Sequence, residues 1–94
     1  MSDTVILLPV IAEAEQMRPI RDALIRHLEA GQPVKVDARE VCRISTAAVQ
    51  VLLAACASFQ AAGLALAYVE PSDEFMETFS DLGLYAHLGE HIEF

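Results

Sequence analysis

The sequence has no Lys or Arg after Arg43. The first 43 residues hold six basic and seven acidic side chains, for a net charge of −1, and the last 51 hold seven acids alone, for −7. The total of −8 and the pI near 4.6 leave no basic stripe for a run of phosphates. Nucleic-acid binding and adhesion to an anionic membrane surface are therefore not expected.

Cysteine and glycine are scarce, and neither forms a known motif. Cys42 and Cys56 match no CxxC or zinc-finger spacing, and both lie in apolar stretches, so two reduced, buried thiols are expected. The four glycines are isolated, which argues against a glycine-rich phosphate loop, and no G-x-S-x-G sequence is present. We expect a protein that is not an enzyme and needs no cofactor.

One short pattern supports a different class of function. His87, Glu90 and His91 spell H-x-x-E-H, the arrangement of a small metal-dependent hydrolase. Gly89 falls inside the pattern, where a helix would have to bring both histidines onto one metal. Matches to so short a pattern are common by chance, so no metal site is expected.

The longest uncharged stretch, Ile44 to Val69, covers 26 residues, enough to span a bilayer. Gln50, Ser58, Gln60 and Gly63 interrupt it, and alanine supplies much of the rest. We expect a buried helix followed by a buried strand, without membrane insertion. The N-terminus also lacks the basic region of a signal peptide, so a cytoplasmic location is expected.

The periodicity of apolar residues predicts one α/β domain over residues 1–94. Strands are expected at 4–8, 33–38, 64–69 and 91–94, and helices at about 17–30, 45–62 and 72–82. The order β-α-β-α-β-α-(β) predicts a small, mostly parallel sheet flanked by helices. Because Leu64 to Val69 is apolar at every position, that strand is expected to be covered on both faces.

The most informative segment is Val36 to Leu53, VDAREVCRISTAAVQVLL. A strand ends at Asp37, a short loop follows, and Ser45-Thr46 open an alanine-rich helix. This order places a helix N-terminus at the carboxyl edge of the sheet, where open α/β sheets bind ligands and partners. A purely structural interpretation, in which the two hydroxyls only cap the helix, is equally compatible with the sequence.

This segment resembles the signature of STAS domains, the family of bacterial anti-sigma factor antagonists. In that family an apolar strand ends in Asp, and a short loop leads to Asp-Ser-Ser-Gly-Leu at the start of a helix; residues 45–49 occupy those five positions. The later AAG-LALAYVEPSDEF and LGL segments are also STAS-like, so the resemblance covers essentially the whole chain. It implies a small sheet flanked by helices and a protein-binding role in bacterial signal transduction.

The chain departs from the family signature at the site of regulation. The serine that a partner kinase phosphorylates in phosphoregulated members corresponds to Ala47, which has no hydroxyl, so Thr46 and Ser45 are the candidate acceptors. The Thr46-Ala47 pair resembles the STAS subunit of lipid-transport ABC complexes, which is one alternative. The wider pattern is more similar to STAS proteins that accompany chemotaxis kinases. The expected partner is therefore a chemotaxis-type histidine kinase or an anti-sigma factor.

The helical spacing divides the alanine-rich helix into two faces. Val49, Leu52, Leu53, Cys56 and Phe59 are expected to be buried, whereas Ala47, Gln50, Ala54 and Ala57 form a small, uncharged opposite face. We expect that face to bind the partner, with Asp37, Arg43, Ser45 and Thr46 at its N-terminal end. A partner is expected to meet Arg39 and Arg43 at this end and acidic residues around the rest. The alternative is a helix buried on both sides within the domain.

Overall fold

A computed structural model describes residues 4–84, 86–87 and 91–93. Its three helices are α1 (Met17–Glu29), α2 (Thr46–Ala61) and α3 (Asp73–Asp81). Its six strands are β1 (Thr4–Leu7), β2 (Ile11–Ala12), β3 (Val34–Asp37), β4 (Arg43–Ile44), β5 (Leu66–Val69) and β6 (Ile92–Glu93). The α/β fold class and the order of the main elements are confirmed.

α2 and α3 begin at serine residues that cap them, whereas α1 begins after Gln16 without a side-chain cap. The Ser45 hydroxyl accepts a hydrogen bond from the Ala48 N–H at 3.1 Å, and the Ser72 hydroxyl accepts one from the Phe75 N–H at the same distance. Gly63 follows α2 with φ of +71°, a backbone conformation that glycine adopts without steric cost. The expected helix over 45–62 is thus α2 together with its two capping residues.

The main sheet has the order β1-β3-β5-β6, and each neighbouring pair is parallel. β1 lies at one edge and β6 at the other. A second, two-stranded parallel ladder pairs Ile11 with Arg43 and Ala12 with Ile44. The sequence does not predict this ladder, because two-residue strands are too short to show an alternating pattern.

The core lies on one face of the main sheet. Alternate strand residues Ile6, Val34, Val36, Leu66 and Tyr68 are buried there against the helices. The residues between them lie on what we call the open face of the sheet. They are Val5, Leu7, Lys35, Ala67, Val69 and Glu93, together with Asp37, which is buried.

The open face is accessible to solvent. Val5 is 55% exposed and Leu7 50%, while Ala67 and Val69 are half-buried. The prediction that the 64–69 strand is covered on both faces is therefore wrong. Apolar residues at every position do not require two helix layers when small side chains such as Ala67 occupy the second face.

Tyr68 joins the sheet to two helices. Its hydroxyl is buried, donates to the backbone carbonyl of Leu52 at 3.0 Å, and lies 3.2 Å from the Cys56 sulfur. Its ring packs against Phe75 of α3 with a centroid distance of 5.5 Å. Burial raises the pKa of both the Tyr68 phenol and the Cys56 thiol. One aromatic side chain therefore fixes the positions of α2 and α3 relative to β5.

The two cysteines differ in their surroundings. Cys56 is buried as expected, but Cys42 is exposed, so the prediction of two buried thiols is wrong for Cys42. Cys42 lies in the turn before β4, where its backbone N–H donates to the Val10 carbonyl at 2.8 Å, and the turn directs the side chain outward. No helix among the described residues has the length and apolarity to cross a membrane.

Replacing Tyr68 with Phe is expected to lower the free energy of unfolding by about 1 kcal/mol, because the ring packing remains while the buried hydroxyl bond is lost. Urea unfolding followed by circular dichroism measures this loss. Cys56→Ala alone and combined with Tyr68→Phe provides the control. If Tyr68→Phe is as stable as the wild type, the hydroxyl does not hold α2 on the sheet.

Candidate functional site

The site is built on the loop between β3 and β4, which Asp37 and Arg39 hold in place. Asp37 is only 4% exposed. One of its carboxylate oxygens accepts the Arg39 backbone N–H at 3.0 Å, and the other accepts Arg39 Nε at 2.8 Å. These hydrogen bonds from Arg39 hold the pKa of Asp37 below its usual value. The carboxylate therefore stays ionised and the turn that follows β3 is fixed.

The same loop is tied to the end of β5. Arg39 Nη2 also forms an ion pair with the Glu70 carboxylate. The Ser72 hydroxyl donates to the Val41 carbonyl at 2.6 Å, and the Ser72 N–H donates to the Ala38 carbonyl at 3.1 Å. Hydrogen bonds and an ion pair thus connect the carboxyl ends of the parallel strands β3 and β5. They give the N-terminus of α2 a rigid support.

At that N-terminus the two hydroxyl residues have different environments. Ser45 is half-buried: its hydroxyl caps the helix, and its N–H donates to the Ala12 carbonyl at 3.0 Å. Thr46 is exposed and occupies the first position of the helix. The capping interpretation thus describes Ser45, whereas the Thr46 side chain faces solvent.

Along α2 the solvent-facing residues are small and uncharged. Ala48, Val49, Leu52, Cys56 and Phe59 are buried. We call the exposed residues on the opposite side the outer face of α2, and they are Ala47, Gln50, Ala54, Ala57 and Ala61. The alternative of a helix buried on both sides is therefore wrong for the described structure. This arrangement leaves an uncharged helical surface on a chain of net charge −8.

An open groove runs between α1 and α2 beside the outer face and encloses about 390 Å³. Its walls are Arg21, Leu24, Ile25 and Leu28 on α1, and Ala47, Gln50, Val51, Ala54, Ala55, Ser58 and Phe59 on α2. Arg21 is the one charged residue in this lining. No acidic side chain among the described residues lines this groove, and the expected acidic surround of the whole face stays a prediction.

The structure separates the predicted site residues into two groups. Ala47, Gln50, Ala54, Ala57 and Thr46 lie exposed on α2, and Arg43 is exposed on β4, immediately before the helix.

Asp37 and Ser45, in contrast, are held inside the support by the hydrogen bonds described above. Arg39 is partly neutralised by Asp37 and Glu70, whereas no described carboxylate lies within 4 Å of the Arg43 guanidinium.

The α1 wall of the groove is a feature that was not predicted from the sequence. Arg21, Ile25 and Leu28 follow helical spacing, and Ile25 is 36% exposed although it belongs to the apolar stripe of α1. The sequence feature that indicates this wall is the width of the apolar stripe of α1, because only Met17 and Leu24 of that helix are buried in the core. When the apolar stripe of a helix is wider than the part that the core buries, the remaining apolar residues indicate a second contact surface.

The H-x-x-E-H pattern gains no support from the described residues. Glu90 lies outside them. His87 is exposed, and His91 Nδ1 lies 3.0 Å from the Leu66 carbonyl. No group of three His, Cys, Asp or Glu side chains among the described residues could hold a metal ion.

Comparison with protein families identifies a match over most of the chain. A family model described as "Mlab, STAS domain" matches residues 3–90 of the 94-residue chain. No curated protein matches the chain.

Replacing Asp37 with Asn is expected to lower the free energy of unfolding at pH 7 by about 1 to 2 kcal/mol, since a charge-assisted hydrogen bond to Arg39 is lost. Because the folded state lowers the pKa of Asp37, its stabilising effect is present above the unfolded pKa and disappears as pH falls through the folded value. The stability gap between wild type and variant should close in acid.

Urea unfolding at pH 7, 5 and 3 measures this gap. Asp81→Asn, at the exposed end of α3, is the matched control. A gap that is unchanged at pH 3 would contradict an ionised Asp37 as its source.

Proposed function

Because the chain belongs to the STAS domain family, we propose that it is a non-catalytic interaction module. In this proposal it docks onto a regulatory protein of a bacterial signalling pathway, such as a chemotaxis-type histidine kinase or an anti-sigma factor. The observation that carries the proposal is the exposed, uncharged outer face of α2 beside the α1–α2 groove. Docking adds no chemistry to the partner; it covers or repositions a surface of the kinase or factor.

The composition of the outer face suits close approach by another protein. Ala47, Ala54 and Ala57 lose no side-chain rotamer freedom when a partner covers them. Their small size lets a partner helix approach the α2 backbone, and Ile25 supplies an aliphatic contact at the groove. Binding through this face therefore has a low entropic cost for each residue covered.

The charges near the face suggest the chemistry of the partner surface. Arg21 lines the groove, and Arg43 precedes α2 at its N-terminal end, where the helix dipole adds partial positive charge. A partner with an apolar centre and a carboxylate near these arginines would fit. Attraction between such charges accelerates encounter, so the association rate should fall as salt is added.

In this proposal Asp37 acts indirectly. Its hydrogen bonds to Arg39 hold the loop that supports Arg43 and the start of α2. We therefore place it as a positioning residue rather than as a contact, and Ser45 has the same role through its cap.

Replacing Ala54 with Arg is expected to weaken partner binding at least ~10-fold, because a long charged side chain enters the centre of the outer face. Folding should be nearly unaffected, since Ala54 is exposed. Ala30→Arg introduces the same side chain at the exposed C-terminal cap of α1 and is the matched control.

The measurement is affinity capture from native cytosol with the wild type and both variants as bait, followed by mass spectrometry. A histidine kinase or anti-sigma factor retained by the wild type and Ala30→Arg, but lost from Ala54→Arg, supports the proposal. A partner captured equally by all three baits would place docking elsewhere.

A lipid-transport accessory subunit is a second candidate, favoured by the Thr46-Ala47 pair at the start of α2. It uses the same fold and the same face. Recovery of an ABC ATPase in the capture experiment, in place of a sensor kinase, would select this candidate.

We also propose Thr46 as the phosphate acceptor if the partner is an anti-sigma factor with kinase activity toward hydroxyl side chains. Thr46 is exposed at the first helical position, whereas the Ser45 hydroxyl already accepts a hydrogen bond from the Ala48 N–H. A phosphate at Thr46 would add negative charge beside the positive end of the α2 dipole.

Incubation with labelled ATP and the captured kinase should label the wild type and Ser45→Ala but not Thr46→Ala. Label that persists in Thr46→Ala would contradict the assignment.

A further inference from the structure

The edge strand β1 has a free hydrogen-bonding edge. Among the described residues it pairs with β3 alone, so the backbone groups on its other side have no strand partner. Natural edge strands are commonly protected by charged residues, proline or a bulge. The four residues of β1, TVIL, include no charge and no proline. Within the described residues, β1 therefore offers an uncharged edge, four residues long, with which another strand can pair.

Two exposed aliphatic side chains, Val5 and Leu7, lie on β1 itself, and two more, Val10 and Ile11, follow it in the sequence. Val5, Leu7, Val10 and Ile11 are 55%, 50%, 49% and 44% exposed. They are four of the six large apolar side chains that are exposed in the described part of the chain. Val5 and Leu7 lie on the open face of the sheet, so a strand added at the edge would bring its own side chains against them.

The charge distribution favours a second copy of the chain as the added partner. The sheet order places β1 and β6 at opposite edges. The near-neutral half of the chain, net −1 over residues 1–43, contains β1 and the neighbouring β3. The four acids of α3 follow β5, and Glu93 lies on β6. Two copies that meet at β1 keep their acidic regions apart, whereas contact through β6 would bring them together.

We propose that two copies of this chain associate through antiparallel pairing of β1 with β1. Centring the pair on Ile6 places Val5 of each copy opposite Leu7 of the other on the open face. The contact is isologous, as a two-fold dimer requires. It joins two four-stranded sheets into one and leaves the outer face of α2 uncovered. Dimer formation is thus independent of the docking function proposed above.

The short length of β1 predicts a weak dimer. Four residues per strand bury less than the ~1,200 to 2,000 Å² of a typical stable interface, so dissociation in the micromolar range is expected. Sedimentation velocity from about 5 to 500 µM covers that range. The mass should rise from 10.2 kDa toward twice that value with concentration.

Leu7→Lys is the first test variant, because it puts a charge at the interface while the register places it beside Asp37 of its own chain. Val5→Lys is the second. Leu82→Lys replaces a 43% exposed leucine after α3 and is the matched control. Melting followed by circular dichroism verifies that each variant is folded.

The expected result is dimerisation of the wild type and Leu82→Lys, and at least ~10-fold weaker association of Leu7→Lys and Val5→Lys. Amide hydrogen exchange in β1 of the wild type should slow as protein concentration rises. This measurement uses the wild type alone, so it does not depend on whether the variants fold. A wild type that stays at 10.2 kDa throughout overturns the proposal. So does a folded Leu7→Lys that dimerises as strongly as the wild type.

Discussion

The described structure depends on one constraint: a single layer of helices covers the main sheet, on one face. The buried strand residues, including Val36 and Tyr68, point toward that layer, and the Tyr68 hydroxyl ties α2 to it. A helix in an outermost layer can bury only one side. The core therefore takes Val49, Leu52 and Phe59, and the other side of α2 remains in solvent. The exposed outer face of α2 and the open face of the sheet both follow from this arrangement.

The carboxyl ends of the parallel strands meet at one edge of the sheet, and hydrogen bonds there form a rigid support for the start of α2. Because β3 and β5 run in the same direction, Asp37 at the end of β3 and Glu70 just after β5 lie at the same edge, where Arg39 contacts both carboxylates. Ser72 then links this loop to the start of α3. The start of α2 is held by backbone and side-chain hydrogen bonds, so the docking surface that we propose is preorganised and ordering it costs little.

The two halves of the chain differ in charge, and the fold places them at different edges of the sheet. Parallel order places β1, from the near-neutral half, at one edge and β6 at the other. The two proposed contacts use different uncharged regions: α2 for a regulatory partner and β1 for a second copy. With a net charge of −8, copies of the chain repel each other over most of their surface. Association is therefore expected only where acidic residues are absent.

The sequence by itself determined the helices, the main strands, their order and both serine caps. These depend on local periodicity and on side chains that bond to backbone three residues away, as Ser45 does to Ala48. It also predicted the division of α2 into a buried and an exposed face. Only the tertiary structure decided the β2–β4 ladder, the exposure of Cys42, the open face of the sheet and the α1 wall of the groove. Each of these depends on which distant elements meet: Ile11 pairs with Arg43, and Arg21 shares a groove with Ala47. Contacts between residues so far apart leave no periodic trace in the chain, because they are set by how the layers pack.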